Sequence, residues 1–296
     1  MSMQRAAAER DDILFKLIEE ENWEDARVFL SGSVAERFGN KMENLTYRDK
    51  YQGSALHLAI SLKAPVDIIE TMVDIGGGDE LAIANRNDTA LHWACKKGAS
   101  AQVIKILLDN GGEELSLAKN HLNRTALHYA CDKGASAQVI KLLLDAGGGE
   151  LTLAKTDDNE IVLDDGGGDV LAVNSGGSGG SGGVSDLSLA KTPSNWTALH
   201  IACLKGASAQ VIKLLLDAGG KELVLAKTND EETALHIACE KGASAEVVKL
   251  LLDVGEGKLS LAKNDDKETA LNISYEKSAG AEVIQLLLEA EKKWRN

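Results

Sequence analysis

Histidine and threonine residues show the spacing in this 296-residue chain that could most readily support chemistry. Five histidines each follow a Thr or Ser by three positions, mostly within the segment Thr-Ala-Leu-His; they are His57, His92, His128, His200 and His236. A hydroxyl beside an imidazole could act as a nucleophile and its base, and a row of imidazoles could bind a metal ion. A catalytic set should occur once in a chain, whereas this pair recurs without a third group fixed beside it. We therefore expect no catalytic site, no metal site and no cofactor.

The segments that carry these histidines recur at a nearly constant period. They begin at Ser54, Thr89, Thr125, Thr197, Thr233 and Thr269, so successive starts are 35, 36, 72, 36 and 36 positions apart. A fixed period of this size indicates a solenoid, in which each unit buries its apolar face against its neighbours. Stacked helix pairs lie about 10 Å apart, and successive histidines would then be too far apart to share one ion.

One unit illustrates the elements that we expect. Thr125 is suited to begin a first helix as its N-cap, and Gly134 to end it. A second, largely apolar helix should begin near Ser136 and stop at the glycines 147–149. Leucine alternates with polar residues in 151–153, which predicts an extended arm that leads into a turn.

The segment Thr-Ala-Leu-His, a mid-unit Gly, the run Val-Ile-Lys-Leu-Leu-Leu-Asp and a Gly pair together resemble the ankyrin repeat. Ala replaces the usual Pro, and the period is 36 instead of 33 residues. The resemblance covers roughly 46–175 and 184–296. It implies an all-α solenoid of stacked antiparallel helix pairs, with a concave face that binds proteins. It also implies that the recurring His joins adjacent turns by hydrogen bonds.

The pattern is interrupted where a unit should begin at position 161. Two unit tails are present there instead, joined by a Gly-Gly-Ser run at 176–183. We divide the chain into N-terminal capping helices (1–45), a first repeat block (46–155), a truncated repeat with a flexible linker (156–191), and a second block with a C-terminal cap (192–296). Such a regular run is typical of an engineered protein; a natural low-complexity insert is the alternative.

A missing unit should leave apolar faces uncovered on both sides of the interruption, near Leu144 and Thr197. The two blocks could close on each other, the residual tails could fold over the faces, or a second copy of the chain could dock. The last alternative predicts a homo-oligomer.

Composition narrows the class of partner and the compartment. The net charge of −14 opposes binding to nucleic acid and to anionic membranes, and favours a protein or basic peptide as partner. All four cysteines occupy one position of the unit, which predicts buried, reduced thiols and a cytoplasmic location. No run of 18 apolar residues is present to span a membrane.

Residues that differ between units while the framework stays constant are the candidates for partner binding. They fall in the turns and at the C-terminal ends of the first helices, and we call them the candidate face: Lys96, Lys97, His121, Leu122, Arg124, Asp132, Trp196, Leu204, Asn229, Asp230, Glu232, Asp265 and Asp266. We expect this face to change from basic and mixed in the first block to acidic in the second. Trp196 and Leu204 are expected to be exposed apolar anchors within it. The alternative is that these positions are neutral choices on an engineered structural scaffold that has no ligand.

Overall fold

The computed structural model describes residues 13–31, 54–82, 87–156 and 195–295. Within these ranges all regular secondary structure is helical, in fourteen helices that form seven consecutive pairs. The pairs are α1 (Ile13–Glu19) and α2 (Trp23–Ser31), α3 (Ala55–Ser61) and α4 (Val66–Ala82), α5 (Ala90–Lys96) and α6 (Ala101–Leu117), α7 (Ala126–Asp132) and α8 (Ala137–Leu153), α9 (Ala198–Leu204) and α10 (Ala209–Leu225), α11 (Ala234–Glu240) and α12 (Ala245–Ser260), and α13 (Ala270–Glu276) and α14 (Ala281–Arg295). None of the helices in the described ranges is long and apolar enough to cross a membrane.

The first helix of a unit begins and ends where the sequence predicts, and the second helix begins where it predicts. Thr125 is the N-cap of α7 and Ser136 the N-cap of α8, where the hydroxyl of Ser136 accepts from the Val139 N–H at 3.4 Å. Between the helices Gly134 has a φ of 64°, a left-handed conformation that favours glycine. Local capping thus fixes both ends of the first helix and the start of the second.

A kink lies near the end of α4, α6, α8, α10 and α12, and the helix resumes after it. Gly148 has φ 59° and ψ −159°, a combination essentially restricted to glycine. Its neighbour Gly147 provides space, because a Cβ there would lie 2.9 Å from the side chain of Leu151. The prediction of an extended arm at Leu151 and Leu153 is therefore wrong: these residues form a further helical turn, and Leu151 is fully buried.

The stack of helix pairs is continuous across the interruption. Helix α7 packs on α9, and α8 packs on α10 so closely that a Cβ at Gly149 would lie 3.1 Å from the carbonyl oxygen of Ala218. Leu144 and Leu199 are consequently buried. The expectation of uncovered apolar faces is therefore wrong, and the first alternative, closure of the two blocks on each other, describes the molecule. The 176–183 linker lies outside the described residues.

One helix pair packs on each end of the described stack. Helices α1 and α2 pack on α3 and α4 at the N-terminal end, and α13 and α14 pack on α11 and α12 at the C-terminal end. The core is a continuous strip of Leu, Ile, Val and Ala side chains between successive pairs. The four cysteines belong to this strip, and all of them are free and buried.

Candidate partner-binding face

The recurring Thr–His pair fastens each turn to the next. The backbone N–H of Thr125 donates to Nδ1 of His128 at 3.1 Å, so the neutral ring carries its proton on Nε2. That Nε2 donates to the carbonyl oxygens of Ala154 at 3.1 Å and of Trp196 at 3.3 Å. His92, His200 and His236 make equivalent bonds to the turns that follow them. The structural role that the resemblance implies is confirmed for these four histidines.

Burial keeps these imidazoles and the neighbouring thiols in their neutral forms. Loss of solvation lowers the pKa of His128 to about 3 and that of His200 to about 4, so both rings are neutral near pH 7. The same effect raises the pKa of the Cys95 thiol to about 12 and that of Cys239 to about 11. Within the described part of the chain, no cluster of three His, Cys, Asp or Glu residues could hold a metal ion.

The first-block end of the candidate face combines lysines with aromatic rings. Lys96 and Lys97 are exposed at the end of α5, and their ammonium groups lie 5.4 Å and 5.2 Å from the centre of the Trp93 ring. Lys96 also lies 6.0 Å from the ring centre of Tyr129. Arg124 is largely buried, and its guanidinium stacks 5.4 Å above the same Tyr129 ring. At the end of the face that the sequence predicts to be basic, the cations therefore lie over aromatic rings.

A buried amide holds the turn beneath these groups. Asn120 donates through Nδ2 to a carboxylate oxygen of Asp88 at 2.7 Å and to the Tyr129 hydroxyl at 2.9 Å. Its Oδ1 accepts from the backbone N–H groups of Leu122 and Arg124, both at 3.0 Å. Of the two predicted tip residues, His121 is exposed and Leu122 half-buried. Tyr129 and the tip are thus fixed to one another.

The centre of the face is occupied by an ion pair between the two blocks. The Asp132 carboxylate lies 3.1 Å from the Lys205 ammonium and 3.5 Å from that of Lys133. Leu204, expected to be an exposed anchor, is half-buried and packs against the core. Asp132 is therefore committed to contacts within the chain, which leaves it less available to a partner.

Trp196 is not exposed, and the expectation that it is an accessible anchor is wrong. Only 4% of its surface is exposed, and its ring meets that of His200 edge-on at 5.9 Å. The cause is its place in the unit: the residue before the Thr N-cap points into the stack, as the buried Asp88 and Arg124 do in other units.

The turn that contains Trp196 closes as though nothing were inserted in it. The Thr156 N–H donates to the Trp196 carbonyl at 3.1 Å and the Asn195 N–H to the Thr156 carbonyl at 2.9 Å. An uninterrupted turn has the same two bonds: the Asn120 N–H donates to the Arg124 carbonyl, and the Asn123 N–H donates to the Asn120 carbonyl. In the sequence, residues 157–194 replace the two tip residues His121 and Leu122 of that turn, and the register of the described stack is the same on both sides.

The second-block end of the face is acidic. Glu232 is half-buried, and loss of solvation, together with the nearby carboxylates of Glu240, Asp230 and Asp266, raises its pKa to about 7. Asp266 is exposed and Asp230 half-buried. The remaining predicted residues, Asn229 and Asp265, are exposed on neighbouring turns.

Neighbouring turns at this end are also joined to one another. The side-chain amides of Asn195 and Asn229 are hydrogen-bonded, and the Asp265 N–H donates to the Asp230 carbonyl at 3.1 Å. The acidic side chains are therefore carried on a connected row of turns.

Two residues of this face, Trp93 and Tyr129, are not among the sequence candidates. Both stand at the fifth position of the recurring segment, which the helical periodicity assigns to the core. Only 6% of the Tyr129 surface is exposed, in agreement with that assignment. The available signal was their type, because Leu58, Ile201, Ile237 and Ile273 fill this position elsewhere. An aromatic ring at an aliphatic position extends beyond the core toward the lysines.

Comparison with known proteins supports this architecture. A family model described as "Ankyrin repeats (3 copies)" matches residues 56–154, 180–258 and 199–296. The ankyrin repeat domain of Bcl-3, a member of the IkappaB family, is 21% identical with a TM-score of 0.59, over 93% of this chain and 97% of that one. The human ASB11 ankyrin repeat domain is 18% identical with a TM-score of 0.60, over 94% and 97%. At these identities the two structures show a shared fold. None of the curated protein sequences matches the chain.

Proposed function

Because this chain belongs to the ankyrin repeat family, whose domains generally mediate protein–protein interactions, we propose that it is a non-catalytic module that binds a protein along the candidate face. The partner contributes a basic segment that contacts the acidic end of that face. Trp196 supports the face from within the stack, and the exposed and half-buried turn residues make the contacts.

Glu232 carries this proposal. Loss of solvation and the nearby carboxylates of Glu240, Asp230 and Asp266 outweigh the ammonium of Lys241 and raise its pKa to about 7, so its ionised form is unfavourable in the free protein. A lysine or arginine placed among Glu232, Glu240, Asp230 and Asp266 would favour the ionised form of Glu232 and relieve the repulsion. Binding of a basic segment should therefore be accompanied by release of a proton near pH 7.

The test is titration calorimetry with a lysine-rich peptide in two buffers of different ionisation enthalpy. We expect binding that weakens with salt and releases protons at pH 7. The double variant E232Q/E240Q should lose most of the affinity and the proton release. D217N/D253N is the matched control, because it removes two exposed acids from the second helices α10 and α12. Equal losses in both variants would reduce the interaction to non-specific attraction and contradict the proposal.

An engineered structural scaffold without a ligand is the second candidate. The Gly-Gly-Ser run at 176–183 and the retention of register across 157–194 favour it. Failure of both basic and acidic peptides to bind the wild-type chain would support the scaffold. We also propose that the protein acts in the cytoplasm, since four free buried cysteines suit a reducing compartment.

A further inference from the structure

The lysines at the ends of the first helices differ in how their charge is balanced. In the other units the lysine at this position pairs with an acid: Lys133 and Lys205 with Asp132, Lys241 with Glu240 at 3.0 Å, and Lys277 with Glu276 at 3.2 Å. Lys96 and Lys97 form no ion pair with any residue in the described ranges. In a chain of net charge −14, two adjacent exposed cations without a carboxylate are the exception on this face.

Trp93 holds both of these cations in place. The two ammonium groups lie within 5.4 Å of the centre of one indole ring, and Lys96 also approaches Tyr129. The ring itself is fixed, because it is half-buried and meets the His57 ring edge-on at 6.1 Å. A cation over an aromatic face is held there by electrostatic attraction, so both lysines lose less freedom when a ligand binds.

We infer that Trp93, Lys96, Lys97 and Tyr129 form a second docking point on the candidate face, which takes an acidic segment of a polypeptide. The inference rests on the proposed function only in assigning both docking points to one partner. Two ammonium groups on one ring can contact neighbouring carboxylates of a short segment, and the accessible part of the half-buried indole can pack against the stems of Glu side chains.

Charge over the rest of the face favours a polypeptide over a nucleic acid. The docking point is flanked along the stack by Asp132, and the acidic end around Glu232 lies three units away. A nucleic acid continues as a polyanion beyond two cations and would meet these carboxylates. The charge of a polypeptide can change sign along its length, so that its acidic side chains contact Lys96 and Lys97 and its basic side chains contact Glu232.

The spacing of units sets the length of that segment. Three steps of about 10 Å separate the two docking points, or roughly 30 Å. An extended chain advances about 3.3 Å per residue, so about nine residues join the acidic and basic ends of the partner.

The experiment uses the full chain and three fluorescent peptides in anisotropy titrations. One peptide is Glu-rich, one is Lys-rich, and one carries both ends joined by a neutral spacer of about nine residues. We expect the Glu-rich peptide to bind wild type and K96Q/K97Q to weaken it about tenfold. K141Q/K213Q, which removes two exposed lysines from α8 and α10, should change its Kd less than about twofold.

Trp93→Ile tests the role of the ring without a new packing problem, because Ile fills this position in three other units. It should weaken the Glu-rich peptide about threefold, and Trp93→Phe should recover part of that loss. The two-ended peptide should bind more tightly than either single-ended one, and shortening its spacer to about three residues should remove the gain.

The outcomes separate the inference from the proposed function. If K96Q/K97Q loses binding of the Glu-rich peptide and K141Q/K213Q does not, the inference is supported even when the Lys-rich peptide does not bind. Equal weakening in K96Q/K97Q and K141Q/K213Q would overturn it, as would unchanged binding in both. A single-stranded oligonucleotide that binds more tightly than the Glu-rich peptide, and depends on Lys96 and Lys97, would overturn the assignment to a polypeptide.

Discussion

Lys221 and Glu256 form an ion pair at 2.8 Å between the kinks of α10 and α12. Glu256 occupies the kink position that glycine fills in α4, α6, α8 and α10, and it has φ 50° and ψ −149°. A side chain in this region is strained, at a penalty on the order of 1–3 kcal/mol. The ion pair is exposed and screened by solvent, so it offsets only part of this penalty.

We therefore predict that Glu256→Gly stabilises the protein by about 1 kcal/mol, because relief of strain exceeds the lost ion pair and the added freedom of the unfolded chain. Urea unfolding monitored by circular dichroism measures the change. Lys221→Gln is the control that removes the ion pair alone and should lower stability by less than about 1 kcal/mol. A less stable Glu256→Gly protein would show that the kink is not strained.

The second prediction concerns the turn between Thr156 and Asn195. Replacing 157–194 by the two residues His-Leu, which stand at the tip of the Asn120 turn, should leave the helix content of the stack unchanged and raise the free energy of unfolding. Shortening the loop from 38 to two residues halves its length about four times, and each halving lowers the entropic cost of closing the loop by about 0.6 kcal/mol. Denaturant unfolding should show one transition with a gain of about 2 kcal/mol.

Separation into two transitions after this deletion would contradict the continuous stack. A useful control replaces 157–194 by an equally long Gly/Ser segment, which should retain the wild-type stability within about 1 kcal/mol. That control separates the effect of loop length from any contribution of the inserted sequence.

Trp196→Ala should lower the free energy of unfolding by about 3–5 kcal/mol, because it removes a buried aromatic side chain between the two blocks. Leu143→Ala, at a fully buried position of α8, should lower it by about 2–5 kcal/mol. Thermal or denaturant unfolding provides the comparison. A loss below about 0.5 kcal/mol in Trp196→Ala would restore the view that this side chain is an accessible anchor.

Acid should destabilise the stack through the buried histidines. The pKa of His200 is about 4 in the folded protein, below the ordinary 6.5 that applies after unfolding. Between these values the unfolded chain binds a proton that the folded chain does not, so the free energy of unfolding falls as the pH falls from 6.5 to 4. The loss from His200 alone reaches about 3 kcal/mol.

His200→Asn tests this linkage. Asn272 fills the equivalent position of α13 and accepts from the Thr269 N–H at 2.9 Å, so Asn retains the cap without titrating. The variant should be less stable at pH 7, through loss of the bond to Ala226, but should lose less stability between pH 6.5 and 4. His121→Asn, on the exposed turn tip, is the control. An unchanged pH slope in His200→Asn would contradict the assignment.

The sequence by itself determined the repeating unit. Thr125 caps α7 and reaches His128 within one helical turn, and Ser136 caps α8 in the same way, so adjacent residues decide these features. Recurrence of the Thr–His pair argued against a catalytic set, and the role of the histidines in joining turns was implied by the ankyrin resemblance. The general change from basic to acidic along the candidate face could be anticipated, because turn residues and helix ends have fixed places in each unit.

Tertiary structure decided what neighbouring units cover. Trp196 is buried because the preceding unit packs over the turn that contains it, and Leu144 is buried because α10 takes the place next to α8. Leu151 belongs to a helical turn because Gly147 allows it to approach the backbone across a kink. These outcomes depend on contacts between residues distant in sequence, and alternating or apolar local patterns do not contain that information.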